Sequence, residues 1–185
     1  MGEQHKKHNR REHLNDFHLN VAGEYVYDGA LYACQSSEEK QHRIKRAVWG
    51  MAAILIVAVI AGGCIPAPGM QNCFYVLLPY LGEFLGAASV IWALTKLGMD
   101  WGMVREYNYK KSVAVLPVRT AVTAVFSGLG IVCELILFFV NDHAGQTFFA
   151  LLYILLKLTA LLSALVLRAE IMQAKWDKLP KKNNF

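Results

Sequence analysis

No charged residue occurs between Ala47 and Gly82, and this apolar run restricts the possible folds more than any other feature of the sequence. Soluble domains have about 25% charged residues, whereas this chain of 185 residues has 18% and concentrates them outside a few apolar stretches. The composition excludes a disordered chain, a small disulfide-stapled protein and most folds of soluble enzymes. It indicates a small multi-pass membrane protein.

Four apolar stretches are long enough to cross a bilayer, which takes about 20 residues in helical conformation. They cover residues 47–63, 74–95, 119–140 and 147–167. Each is predicted to be a helix, because backbone polar groups in hydrocarbon must find their partners within the segment. The stretches are too long, and lack the alternation, for the strands of a membrane β-barrel. We therefore predict an all-α integral membrane protein with a four-transmembrane-helix bundle, an N-terminal arm over residues 1–46 and a basic tail over residues 168–185.

The positions of the basic residues predict the side on which each terminus lies. Every lysine and arginine except Lys157 lies before the first stretch, after the fourth, or in and beside the segment between the second and third. The short connections 64–73 and 141–146 contain none. The positive-inside rule then predicts a protein of the cell membrane with both termini in the cytoplasm. The net charge of +5 is a signal of topology, and we expect no nucleic-acid partner.

The N-terminal arm is expected either to be solvated or to lie against the anionic headgroups of the lipid bilayer. A basic residue close to anionic lipid headgroups gains about 1 kcal/mol. The residues expected to make such contacts are Lys6, Lys7, Arg10, Arg11, Arg43, Lys45 and Arg46.

The arm also contains a typical hairpin signal. Asp28-Gly29 separates two short apolar runs, which favours a two-residue turn, so residues 24–33 are predicted to form a short cytoplasmic β-hairpin that pairs Tyr25 with Tyr32. A ribbon of two strands is only marginally stable in water. It is therefore expected to dock, with the segment between the second and third stretches as one source of a third strand. The alternative is that the tyrosines are simple anchors at the headgroup level.

A weak internal similarity relates the two halves of the chain. The second and fourth stretches align without gaps when Glu83 is placed on Lys157, and this also matches Phe74 with Phe148. Two explanations remain open, a duplicated helical hairpin or chance similarity between leucine-rich helices. A duplication would relate the halves by an axis along the membrane normal, and an acid of one half would then face a base of the other at the same depth.

Three ionisable residues lie well inside the apolar stretches, namely Glu83, Glu134 and Lys157. A charge in the bilayer interior costs at least about 2.5–3.5 kcal/mol, so such residues are normally paired or functional. The flexible lysine side chain can reach either carboxylate. We predict an intramembrane polar network made of these residues together with Ser127 and Tyr153.

Small and polar residues recur at helical spacing beside these charges. The third stretch has such a stripe at Thr120, Thr123, Ser127, Gly130 and Glu134, the fourth at Tyr153, Lys157, Ala160 and Ala164, and the second at Gly82, Gly86, Ser89 and Ala93. Small residues let helices approach closely, and polar ones bond across the contact. The second, third and fourth helices are therefore predicted to pack together with the charges inside.

Two cysteines, Cys64 and Cys73, bracket the first short connection. In an oxidising exterior they can form a disulfide that joins the first two helices. The alternative is that both are small apolar residues at helix ends. Their spacing is not that of a Cys-x-x-Cys redox motif.

No catalytic, cofactor-binding or metal-binding motif occurs in the sequence, and the histidines of the arm do not have the spacing of a zinc site. The leading hypothesis is a non-catalytic subunit, scaffold or accessory component of a membrane assembly such as a transport system, forming homo- or hetero-oligomers with other membrane proteins. The alternative is a small carrier or channel for an ion or small polar solute, with Glu83, Glu134 and Lys157 at its core. A membrane enzyme that uses the two cysteines is a weaker third hypothesis.

Overall fold

The computed structural model describes residues 17–19, 23–27, 29–98, 101–140 and 147–179. Four long helices dominate this part of the chain: α1 (Glu38–Cys64), α3 (Phe74–Leu97), α5 (Leu116–Val140) and α6 (Thr147–Gln173). A short helix α2 (Pro68–Asn72) joins α1 to α3, and a short helix α4 (Glu106–Lys111) precedes α5. All four long helices are long and apolar enough to cross a membrane.

Two of the long helices extend beyond the predicted apolar stretches by more than one turn. Helix α1 begins at Glu38, so the last part of the predicted arm is helical. Glu38 and Glu39 occupy its first turn, where acidic side chains complement the positive end of the helix dipole. Helix α6 continues to Gln173, because no residue between Leu167 and Gln173 disfavours a helix.

The long helices pack in the spatial order α1, α6, α5, α3, with each neighbouring pair in extensive contact. The contact between α3 and α1, which would close the ring, is slight. A duplication with a pseudo-twofold axis would make the α1–α3 contact resemble the α5–α6 contact, and the two differ strongly. Of the two explanations for the internal similarity, the arrangement therefore gives no support to a duplicated helical hairpin.

Helices α3 and α5 approach each other closely at Gly86. A Cβ atom added to this glycine would lie 2.6 Å from the Thr123 hydroxyl oxygen and 3.3 Å from the Thr123 Cα. A side chain at position 86 therefore has no space without a shift of the α5 backbone. The small residues predicted to form a seam on α3 thus allow the two helices to pack in direct backbone contact.

Substituting Gly86 with leucine is expected to destabilise the folded protein by about 1–3 kcal/mol, the usual cost of overpacking a tight contact. The measurement is denaturant-induced unfolding of the full chain in detergent micelles. The matched control is Gly128→Leu on α5, because a Cβ at Gly128 meets no atom within 4 Å. The control gains the better helix propensity of leucine without a clash, so equal losses in both variants would contradict the proposed close contact.

A three-stranded antiparallel sheet lies at one end of the bundle, which we call the sheet end. Its central strand β3 (Leu31–Cys34) lies between β4 (Met103–Arg105) and β5 (Trp176–Lys178). Tyr32 of the central strand also stacks on Tyr109 of α4, with ring centroids 4.1 Å apart. The sheet thus joins three segments that are far apart in sequence.

The predicted hairpin between Tyr25 and Tyr32 is wrong. Strand β2 (Tyr25–Tyr27) pairs instead with β1 (Phe17–Leu19), so Tyr25 faces Leu19. Tyr32 faces Val104 on one side and Lys178 on the other. The physical reason is that β3 gains two neighbouring strands in this arrangement, whereas a hairpin would give it only one. The turn residue Asp28 lies outside the described residues.

The segment between the second and third stretches does contribute a strand, β4, but among the described strands it pairs with β3 alone and not with a hairpin over residues 24–33. Its Val104 is buried, and so is the preceding Trp101; both pack with Ile44 of α1 and Leu97 of α3 in one apolar cluster. The sheet is therefore attached to the bundle by a shared core, and the fold is mostly helical with a small sheet rather than purely helical.

Candidate functional site

Five polar side chains from three helices meet inside the bundle and form what we call the charged cluster. They are Glu83 of α3, Ser127 and Glu134 of α5, and Tyr153 and Lys157 of α6, and all five are buried. Residues three and four positions apart on a helix share one face. The buried positions of α5 and α6 follow this spacing, so each helix turns its polar stripe toward its neighbours.

An ion pair lies at the centre of the charged cluster. The ammonium of Lys157 donates a hydrogen bond to Oε2 of Glu83, and both side chains are buried. The Ser127 hydroxyl donates to Oε1 of the same carboxylate at 2.6 Å. Both oxygens of Glu83 are therefore bonded within the protein, which a buried carboxylate requires to offset its loss of hydration. The contact between an acid of the first half and a base of the second, expected from the sequence alignment, is present.

Replacing Ser127 with alanine is expected to cost about 1–3 kcal/mol, because it leaves a buried carboxylate oxygen without its donor. Unfolding in detergent micelles measures the change. The control is Ser163→Ala on α6, whose hydroxyl is also buried but donates at 2.7 Å to the Thr159 carbonyl of its own helix. A bond of that kind contributes little to the helix, so the comparison separates the bond to Glu83 from the loss of a hydroxyl alone.

Two tyrosine rings border the lysine ammonium. Nζ of Lys157 lies 4.7 Å from the ring centroid of Tyr80 and 5.1 Å from that of Tyr153. Both distances are within the range of a cation–π interaction. Tyr80 is absent from the predicted network, although it lies three positions before Glu83 on the same helix. That spacing was the signal that could have identified it.

Helix α2 covers the charged cluster at the end of the bundle opposite the sheet. The Glu134 carboxylate lies so close to Gly69 of α2 that a Cβ at this glycine would overlap its Oε2. The Tyr153 hydroxyl donates to Sδ of Met70 at 3.6 Å. Ala67, which precedes α2, is fully buried. Apart from the proline at the start of α2, no sequence pattern indicated this packing.

The enclosure limits what the charged cluster can do. The exposed fraction is 0% for Glu83, 1% for Glu134 and 2% for Lys157. Side chains with so little exposure are in contact with protein atoms on nearly all sides. A lysine beside two carboxylates has the chemistry to exchange a proton, but in this conformation no solvent reaches it.

Of the two alternatives for Cys64 and Cys73, the disulfide is not formed, and both residues are free thiols. Cys64 ends α1 with an exposed side chain. Cys73 is half-buried and packs on the apolar cluster that contains Val76 and Leu137. The two side chains therefore occupy different surroundings on either side of α2.

The basic residues expected at the membrane surface are only partly described. Lys6, Lys7, Arg10 and Arg11 lie outside the described residues. Arg43, Lys45 and Arg46 lie on the first turns of α1 at the sheet end, where both arginines are exposed. Among the described residues, no group of three or more histidine, cysteine or acidic residues is placed to hold a metal ion.

No protein-family model, curated protein or solved structure matches this chain.

Proposed function

We propose that this protein is a non-catalytic subunit, scaffold or accessory component of a membrane assembly. The observation that supports this best is the enclosure of the charged cluster. A solute pathway needs polar groups that water can reach, whereas Glu83 and Lys157 are bonded to each other and sealed by their neighbours. Their chemistry fits a role in fixing how α3, α5 and α6 pack.

The proposed location is the cell membrane, with the sheet end in the cytoplasm. The four long helices are consistent with a multi-pass membrane protein. Arg43, Arg46, Arg105 and Lys178 all lie at the sheet end, and the positive-inside rule associates such an excess of basic residues with the cytoplasm. Both termini are then cytoplasmic.

Two features of the fold support the presence of protein partners, either further copies of this chain or other membrane proteins. Helix α1 has only slight contact with α3, and both present exposed apolar side chains, among them Val57 and Trp92. At the sheet end, β4 and β5 each pair with β3 alone among the described strands. An edge strand offers unpaired backbone groups to another chain.

The test is purification of the tagged full chain from its native membrane in a mild detergent, followed by measurement of particle mass. We expect a particle heavier than one chain plus its detergent, containing either several copies or another membrane protein in fixed ratio. Purification at native expression level as a single chain, in several mild detergents, would contradict the proposal.

The second candidate function is a small carrier or channel for an ion or small polar solute. Its specific support is the charge imbalance of the cluster, in which Glu83 and Glu134 are two acids and Lys157 is the one base. Proton, Na⁺ and K⁺ flux into liposomes containing the full chain tests it. Flux that is lost in Glu134→Gln but kept in a control such as Glu39→Gln would favour the carrier, whereas flux equal to that of empty liposomes favours the scaffold.

A further inference from the structure

The first turns of α1 present a basic surface that contains two exposed arginines, Arg43 and Arg46. They lie beside His42. Across the described part of the chain, neither arginine forms an ion pair or a side-chain hydrogen bond. One acidic residue, Glu39, also borders this surface. Two arginines and one glutamate leave an excess of positive charge.

Other basic residues at the sheet end are engaged by the protein. Nζ of Lys110 lies 2.7 Å from the Glu106 carboxylate. The Arg119 guanidinium donates at 2.6 Å to the backbone carbonyl of Ser89. The two arginines of α1 differ from these residues, because no described residue pairs with them. They are therefore free to bind an external anion.

An open groove continues from these arginines along α1 into the apolar part of the bundle. It passes Gly50 and reaches the side chains of Met51 and Ile54. A Cβ atom added at Gly50 would meet no atom of the described residues within 4 Å, so none of them obstructs the groove there. A second groove on the same helix shares His42, Arg46 and Gly50 with the first, and Trp49 borders it.

We propose that this surface is a binding site for one anionic phospholipid. The lipid phosphate lies against Arg43 and Arg46, and an acyl chain follows the groove past Gly50 to Ile54. Along α1 the basic side chains come first and the apolar side chains follow. A phospholipid has the matching order, with its charged headgroup followed by its acyl chains. Trp49 lies at the boundary between them, the level at which tryptophan is enriched in membrane proteins. The inference does not depend on the proposed scaffold function.

The test is native mass spectrometry of the full chain titrated with phosphatidylglycerol or with phosphatidylcholine. We expect the wild-type protein to retain phosphatidylglycerol in preference. The double variant Arg43→Gln, Arg46→Gln should weaken its apparent affinity roughly 30-fold, since each basic residue at a membrane surface contributes about fivefold. The matched control Lys175→Gln, Lys178→Gln removes the same charge from the exposed chain after α6.

A third variant tests the groove separately from the charge. Gly50→Leu places a side chain in the open space and is expected to reduce phosphatidylglycerol retention several-fold while all basic residues remain. Unchanged retention in this variant, or in the double arginine variant, would overturn the site. An equal loss in the lysine control would also overturn it, because it would show that only net charge matters. Preference for phosphatidylcholine would exclude an anionic ligand.

Discussion

Replacing Lys157 with methionine is expected to destabilise the folded bundle by about 3–5 kcal/mol, the cost of leaving a buried charge without its partner. Glu83 would then retain its bond from Ser127 but lose its ion pair, in surroundings that solvent does not reach. The full chain in detergent micelles, unfolded by denaturant and followed by tryptophan fluorescence, gives the measurement. Lys175→Met is the control, because Lys175 is exposed after the end of α6, and its effect should stay within about 0.5 kcal/mol.

The double variant Glu83→Leu, Lys157→Met distinguishes an ion pair from simple loss of packing. Replacement of both members of a buried pair by apolar residues is often neutral or stabilising. The second substitution should therefore restore most of the stability that the first removes. Additive losses would show that the two side chains stabilise the bundle independently, and that result would contradict the central role of the pair.

Tyr153→Ala is expected to destabilise the protein by about 3–5 kcal/mol, as removal of a large buried aromatic side chain usually does. Tyr153 is fully buried and contributes to the apolar cluster that includes Ala67 and Val76. Its ring also lies against the ammonium of Lys157. The substitution therefore opens a cavity directly beneath α2, and the same unfolding measurement detects it.

Two further variants assign the effect of Tyr153→Ala to its cause. Tyr153→Phe keeps the ring and removes only the long hydroxyl bond to Met70, so the loss should be below about 1 kcal/mol. Phe139→Ala removes an aromatic ring that is 82% exposed on α5 and should change stability by no more than about 0.5 kcal/mol. A large loss in Tyr153→Phe would assign the stabilisation to the hydroxyl group instead of the ring.

The bundle and its polar interior followed from two kinds of sequence pattern. Hydropathy identified the four helices, because a membrane-length helix needs a continuous apolar run. Helical spacing identified the inward stripe of α5, where Thr120, Ser127 and Glu134 are all buried as a set. Depth and charge indicated that Lys157 can reach either Glu83 or Glu134, and the structure pairs it with Glu83.

The sheet end was predicted less well from the sequence, because strand pairing depends on which segments meet in space. The turn signal at Asp28-Gly29 is local, and it predicted a local hairpin. The observed partners of Tyr32 are Val104 and Lys178. Two or more long helices separate each of them from Tyr32 in the sequence. No short-range pattern carries that information. Short-range patterns were also insufficient for Cys64 and Cys73. Their short separation in sequence is compatible with a disulfide, but α2 lies between them and both are free thiols.

The positions of the three sheet strands in the sequence have a consequence for biosynthesis. Strand β3 precedes α1, β4 lies between α3 and α5, and β5 follows α6. Chains emerge from the ribosome from the N-terminus onward. The edge of β3 that pairs with β5 therefore stays unpaired until all four long helices have been translated. Completion of the sheet is therefore a late event, and any nascent chain released before Trp176 would carry an unfilled strand position at its surface.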